Sequence, residues 1–168
     1  PYRSLPGVHP KGSFFTRGSG HNKYGGYTEE GHEYQEVVDR LKVKWNTARK
    51  MVPKPDIKYS KTSKIGVIAF DSSDGATNEA IIKLRKSGLK VNYCRIKSFP
   101  FNESIKKFIN KHEKIYVIEQ NRDAQMRSLL ILDLEVNPSK LFSILHYDGN
   151  PIYANLIVRE LLDNESIA

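Results

Sequence analysis

The 168-residue sequence is poor in cysteine: Cys94 stands alone. That excludes an internal disulfide, a zinc site built on cysteines and a self-contained iron–sulfur cluster, and it suits a reducing, cytoplasmic compartment. Long apolar runs are missing too. None approaches the ~18 residues a membrane-spanning helix needs. There is no initiating methionine and no charged-then-apolar leader, so the chain, beginning at Pro1, reads as a piece of a longer or processed polypeptide. The five histidines (His9, His21, His32, His112, His146) show no HxxxH-type spacing, which leaves no metal-ligand pattern. With 39% hydrophobic and 27% charged residues, the remainder is a globular composition with room for a core.

Charge is uneven. Residues 1–63 carry 12 basic and 6 acidic side chains, whereas residues 64–168 carry 15 and 13. The basic third also holds Tyr2, Phe14, Phe15, Tyr24 and Tyr27. Basic residues interleaved with aromatics are the composition of a single-strand nucleic-acid surface. A solvated or subunit-facing arm has the same composition. Lys and Arg are adjacent only in pairs and no RNA-binding signature is present, so the arm reading is preferred and nucleic acid is an unlikely partner.

Residues 1–31 contain seven of the eleven glycines and three of the eight prolines, and offer no hydrophobic period. Such a segment builds no core and must lie on another surface. Tyr34, Val37, Val38, Leu41, Trp45 and Ala48 then recur at helical spacing, and Pro53 and Pro55 end that helix. KPDIKYSKTS reads as a polar connector, which places a boundary near residue 60, between an arm-plus-helix region (1–60) and a second domain (61–168).

Beyond it, strands and helices alternate. GVIAF (66–70) is a short, wholly apolar run, the mark of a strand buried on both faces. Asp71–Asp74 read as a polar turn, and a helix to about Ser87 presents Thr77, Ala80, Ile81 and Leu84, with Gly88 as its stop. VNYCRI (91–96), KIYVIEQN (114–121) and LFSILHY (141–147) supply three more strands. Asn102 caps a helix whose inner positions are Ile105, Phe108 and Ile109. A helix through Met126, Leu129 and Leu130 follows the third strand, and Pro151 suits the first turn of a last helix through Ala154, Ile157 and Leu161. Four strands separated by helices imply right-handed crossovers and an open, mainly parallel α/β sheet sandwiched by helices.

Ligands of such sheets bind at the carboxyl ends of the strands. After the first strand, FDSSDGATNEA has no glycine-rich fingerprint, and Asp74-Gly75 reads as a turn. After the third, Glu119-Gln120-Asn121-Arg122-Asp123 reads equally as a contact for a partner or ligand and as caps at a helix start. After the fourth, His146 and Asp148 make two thirds of a triad, but no nucleophile elbow accompanies them, which favours a turn histidine. No catalytic residue and no metal ligand is assigned.

Two blocks nevertheless resemble a known family. LPGVHPKGSFFTRGSGHNKYGGYTEEGHEYQEVVDRLKVKWNTARKMVP is similar to the segment after the pyrimidine-binding domain in the alpha subunit of 2-oxoacid:ferredoxin (2-oxoacid:acceptor) oxidoreductases. KIGVIAFDSSDGATNEAIIKLRKSGLKVNYCRIKSFPF, YVIEQNRDAQMRSLL and LFSILHYDGNPI resemble that subunit's transketolase C-terminal-like domain. The resemblance runs from about Leu5 to Leu162. It implies a part of an enzyme that converts a 2-oxoacid such as 2-oxoglutarate or pyruvate to acyl-coenzyme A and CO2 while reducing ferredoxin. The complex uses thiamine diphosphate, Mg2+ and iron–sulfur clusters, none of them bound by this chain alone. The implied partners are the pyrimidine-domain part of the alpha subunit, a thiamine diphosphate-binding beta subunit, and gamma and ferredoxin-like delta components; no membrane is implied. The family's YPITP, RxGPST and GDG…N segments are missing, so the resemblance implies an assembly role without a complete active site. Thr16, Arg17, Gly18 and His21 match the family's FTRGSGH, and Glu119, Gln120, Asn121 and Arg122 match its strand-three motif; all eight become candidates for subunit or inter-domain contact. A non-catalytic assembly or regulatory module of the same fold, or a nucleic-acid binder acting through the basic arm, is the alternative.

Overall fold

A computed structural model describes residues 5, 7–10, 20–60 and 63–166. The chain divides into two compact units, Pro1–Ala48 and Arg49–Ala168.

In the first unit, His21 and Tyr27 form an isolated antiparallel bridge closed by a tight turn. The Asn22 side chain accepts from the amides of Tyr24 (3.0 Å) and Gly26 (3.1 Å), and Gly25 adopts φ +85°, a left-handed conformation natural to glycine. At Gly20 a Cβ would stand 2.7 Å from the Thr28 carbonyl oxygen, so the close approach of the two backbones requires glycine. Helix α1, Gly31–Met51, follows, with Glu33 in its first turn and Arg49 and Lys50 in its last, complementing the helix dipole. Its one buried side chain is Val37.

The second unit is the expected α/β sandwich with one strand more than the sequence reading supplied. Its elements are β1 (Asp56–Lys58), β2 (Ile65–Phe70), α2 (Ser73–Lys86), β3 (Asn92–Ile96), α3 (Glu103–Lys111), β4 (Lys114–Glu119), α4 (Gln125–Leu134), β5 (Leu141–Leu145) and α5 (Ala154–Ser166). The sheet order is β1-β3-β2-β4-β5, with β1 antiparallel to β3 and every other pair parallel. The extra strand lies in the supposed polar connector. Three residues are too few to show a period, and Asp56–Lys58 is extended because it completes the ladder of β3 at the sheet edge.

Side chains alternate across the sheet and build two apolar layers. Val67, Ala69, Tyr93, Tyr116 and Ile118 face α2 and α5. Ile68, Cys94, Ile96, Ile115 and Val117 face α3 and α4. Cys94 is fully buried, and burial pushes its thiol pKa up to about 12, the inert thiol of a small core residue. The Asn102 cap is present, accepting from the Ser104 amide at 3.0 Å, and Ile105, Phe108 and Ile109 are buried as their spacing requires. Two local expectations fail. Asp74 and Gly75 do not form a turn but belong to the first turn of α2, where a Cβ on Gly75 would meet nothing. Pro151 precedes α5 by three residues rather than opening it.

Candidate functional site

The chain leaves β2 for β3 on one side, while β4 lies on the other. This reversal is the topological switch point at which open α/β sheets form a crevice. Glu119 ends β4 there with no solvent exposure. Its Oε2 accepts from the Met126 amide at 2.7 Å and from Asn121 Nδ2 at 2.8 Å, and its Oε1 accepts from the Arg127 amide at 3.0 Å. The carboxylate thus satisfies donors that the start of α4 leaves without helical partners, and meets the positive end of its dipole. Asn121 Oδ1 adds acceptors for the amides of Asp123 (3.1 Å) and Gln125 (3.2 Å). Ala124, just before the helix, is left-handed at φ +50°.

Gln120 joins three segments. Its Nε2 donates to Ser72 Oγ (2.9 Å) and Ser73 Oγ (3.3 Å) beside α2, while its Oε1 accepts from the Ile152 amide at 3.1 Å ahead of α5. Arg122 is exposed and pairs with Asp123, Nε to Oδ1 at 2.7 Å. The strand-three motif therefore divides: Glu119, Gln120 and Asn121 hold loops together, and Arg122 faces solvent. Of the arm candidates, His21 is half-buried with Nδ1 2.9 Å from the Asn22 carbonyl, inside its own turn. Thr16, Arg17 and Gly18 lie outside the described residues.

At the end of β5, His146 is buried, with Nε2 3.1 Å from Asp148 Oδ1, and its ring meets Tyr153 edge-on. The contact lacks hydrogen-bond alignment. The Asn150 amide, first, and then His146 hold the Asp148 carboxyl below the usual carboxylate range. The hydrogen bond within the 147–150 turn is the one from the Asn150 amide to Asp148, 2.8 Å, with His146 beside it.

Two cavities open at these strand ends. One of 340 Å³ lies between β2 and β4, bounded by Phe70, Asp71, Ser72, Ser73, Gln120, Asn121 and Gln125. The other, of 350 Å³, lies toward β3 under α4; Phe70 and Asp71 are common to both. Asp71 is left-handed at φ +48°. Neither that backbone state nor the bidentate hold of Arg49 on Asp133, 2.8 and 2.9 Å with Phe101 O as a third acceptor, was foreseeable. Only the basic last turn of α1 signalled Arg49. Among the described residues no group of three His, Cys, Asp or Glu side chains is placed to hold a metal ion, and no helix is long and apolar enough to cross a membrane.

No family model matches the chain. The alpha subunit of 2-oxoacid:ferredoxin oxidoreductase of Saccharolobus solfataricus is 27% identical over 140 residues, 80% of this chain and 22% of that protein. A structure of 2-oxoglutarate:ferredoxin oxidoreductase from Magnetococcus marinus, with 2-oxoglutarate, coenzyme A and succinyl-CoA bound, superposes with a TM-score of 0.79 at 20% identity. That match covers 94% of this chain and 27% of the other. The alpha chain of a probable 2-oxoacid ferredoxin oxidoreductase from Thermoplasma acidophilum matches 67% of this chain at 22% identity, with a TM-score of 0.47. The chain thus spans about a fifth of the curated relative, and it is similar to an alpha subunit of these oxidoreductases over most of its own length. The open, mainly parallel α/β sheet sandwiched by helices that the sequence implied is the fold observed.

Proposed function

We propose that this chain is the C-terminal lobe of the alpha subunit of a thiamine diphosphate-dependent 2-oxoacid:ferredoxin oxidoreductase, acting in the cytoplasm as a lobe that assembles the complex. The substrate is a 2-oxoacid of the 2-oxoglutarate or pyruvate class, and the partners are the pyrimidine-domain part of the alpha subunit, a beta subunit, and gamma and delta components. Residues 1–60 act as the inter-domain linker, with the α/β domain from 61 onward.

The observation that carries the reading is the stripe on α1. Tyr34, Val38 and Leu41 stand at helical spacing and are 49%, 44% and 47% exposed, an apolar stripe of the character that subunit contacts use. The strand ends support it from the other side: the acid and amides of Glu119, Gln120 and Asn121 are engaged in caps and bridges, as befits a scaffold. Thiamine diphosphate with Mg2+ supplies the decarboxylation chemistry of the complex, and iron–sulfur clusters carry its electrons. Among the described residues no group of three His, Cys, Asp or Glu side chains is placed to hold a metal ion, so Mg2+ is assigned to the partner components.

The test is reconstitution. Co-expressed with the remaining components, the chain is expected to co-purify with them and to support 2-oxoacid- and coenzyme A-dependent reduction of ferredoxin, whereas alone it turns over nothing. A Val38→Glu/Leu41→Glu double variant is expected to fold, yet to drop out of the complex. Turnover of a 2-oxoacid by the isolated chain, or full assembly of the double variant, would overturn the proposal.

A further inference from the structure

The assembly reading leaves open what covers the stripe of α1, and the helix itself carries an answer. Tyr34, Val38 and Leu41 are spaced four and three residues apart, and Trp45 follows four further on. This is the d-a-d-a order of two heptads, the seam with which one helix meets another. All four side chains are 44–49% exposed.

Charge on the same helix is segregated. Residues 31–39 hold Glu33, Glu36 and Asp39 and no lysine or arginine, whereas residues 40–51 hold Arg40, Lys42, Lys44, Arg49 and Lys50 and no acid. The helix dipole accounts for charges in the first and last turns alone. Glu36 through Lys44 stand between them. No ion pair joins Glu33, Glu36, Asp39, Arg40, Lys42 or Lys44 to another described residue.

We propose that a second copy of this chain covers the stripe, its α1 lying antiparallel to the first about a two-fold axis between residues 39 and 40. The inference rests on the reading of the stripe as a contact surface. That axis sets Val38 level with Leu41 of the second copy and Tyr34 level with Trp45, so an aromatic pair closes each end of an aliphatic centre. It also sets each acidic half beside a basic half. A parallel pair would bring acid onto acid and base onto base, and a partner surface of one sign would match half of the helix and repel the rest. Two heptads make a small contact, below about 1,200 Å², so a weak dimer with a Kd on the order of 50 μM is expected.

Sedimentation equilibrium of the full 168-residue chain, from about 2 to about 300 μM, should pass from monomer to dimer and no further. Raising salt from about 50 to about 500 mM should weaken the dimer about threefold or more. Lys42→Glu/Lys44→Glu and Glu36→Lys/Asp39→Lys should each weaken self-association about tenfold or more, and mixing the two variants should restore it, because the exchanged halves match again. Restoration also sets a lost contact apart from a lost fold, which mixing would not repair. Orientation is read by oxidative cross-linking: a Val38→Cys chain should join a Leu41→Cys chain in preference to itself, with Cys94 buried and out of competition. A monomer at every concentration, a dimer indifferent to the exchanges, or Val38→Cys joining chiefly to itself overturns the inference. A chain that stays monomeric yet binds the remaining components through the stripe has a partner subunit there, and the assembly reading alone stands. A dimer that supports no ferredoxin reduction leaves this inference standing and the assembly reading overturned.

Discussion

The two units treat their apolar side chains in opposite ways. In Arg49–Ala168 the sheet places Val67, Ile68, Val117 and Ile118 at no exposure, between two pairs of helices. In Pro1–Ala48, Val37 is the buried hydrophobic among the described residues, while Tyr24, Tyr27, Val38, Leu41 and Val43 are 44–82% exposed. Both units carry enough apolar residues to bury. The difference is that a sheet brings distant segments into layers, whereas a glycine-rich turn and one helix have only local neighbours to offer. A segment of the second kind leaves apolar side chains exposed, and that is the observation on which the assembly proposal rests.

Paired substitutions test the contrast most strongly. Phe108→Ala, at a wholly buried site shared by α3 and the sheet, is expected to cost about 3–5 kcal/mol, whereas Leu41→Ala should cost no more than about 0.5. Urea unfolding of the isolated chain measures both. A large loss from Leu41→Ala would mean that the stripe already has its cover within the chain.

Next in size is the cap at the switch point. Glu119→Ala leaves the amides of Met126 and Arg127 and the Asn121 side chain without their acceptor, and should cost about 2–4 kcal/mol. Arg122→Ala, three residues along the same motif, should stay within about 0.5 kcal/mol because its ion pair with Asp123 is exposed. Comparable losses from the two would show that the motif acts as one surface instead of dividing into cap and solvent-facing parts. Smaller again is Gly66→Ala, in β2. A Cβ there would meet Ile115 Cδ1 at 2.5 Å and Phe108 Cε1 at 2.9 Å, and both side chains are packed on all sides, so about 1–3 kcal/mol should be lost.

These features were unequally legible in the sequence. β2 to β5 announced themselves as apolar runs, and Asn102 and Gly88 marked helix ends, because each signal is local and strong. β1 was hidden: a three-residue edge strand is made by its partner's ladder, not by its own pattern. The site was legible as an address only. A polar cluster after a buried strand pointed to residues 119–122, but whether a carboxylate caps a helix or meets a partner depends on what comes within 3 Å. Glu119 is met by the nearby Met126 and Arg127 amides, whereas Gln120 is met by Ser72 and Ile152, from far along the chain. The left-handed Asp71 and Ala124 carried no warning, since neither residue is glycine and the constraint on each is tertiary. Arg95 looked like one basic residue in a strand, and its buried Nε, without a hydrogen-bond partner among the described residues, appears only once the sheet is assembled.

The smallest effect separates the units by pH. His112, at the end of α3, is 1% exposed; its Nδ1 lies 2.6 Å from the Phe108 carbonyl and its Nε2 2.7 Å from Asn92 Nδ2. With Nδ1–H donating to the carbonyl and Nε2 accepting from the amide, both ring nitrogens are satisfied in the neutral form alone. Burial lowers its pKa, the Phe108 carbonyl opposes that, and the charges of Lys111 and Lys140 lower it further. The folded state therefore resists a proton that the unfolded chain accepts near the ordinary histidine value of about 6.5. Between that value and the lower folded one, the unfolded chain binds more protons, so stability falls as pH drops through the window and levels off beneath it. Unfolding of the second unit, followed from pH 7.5 to 5.5, should show this slope, and His112→Asn should flatten it while His32→Asn, at an exposed position on α1, leaves it in place. An unchanged slope in His112→Asn would place the proton-sensitive group outside the sheet's supporting layers.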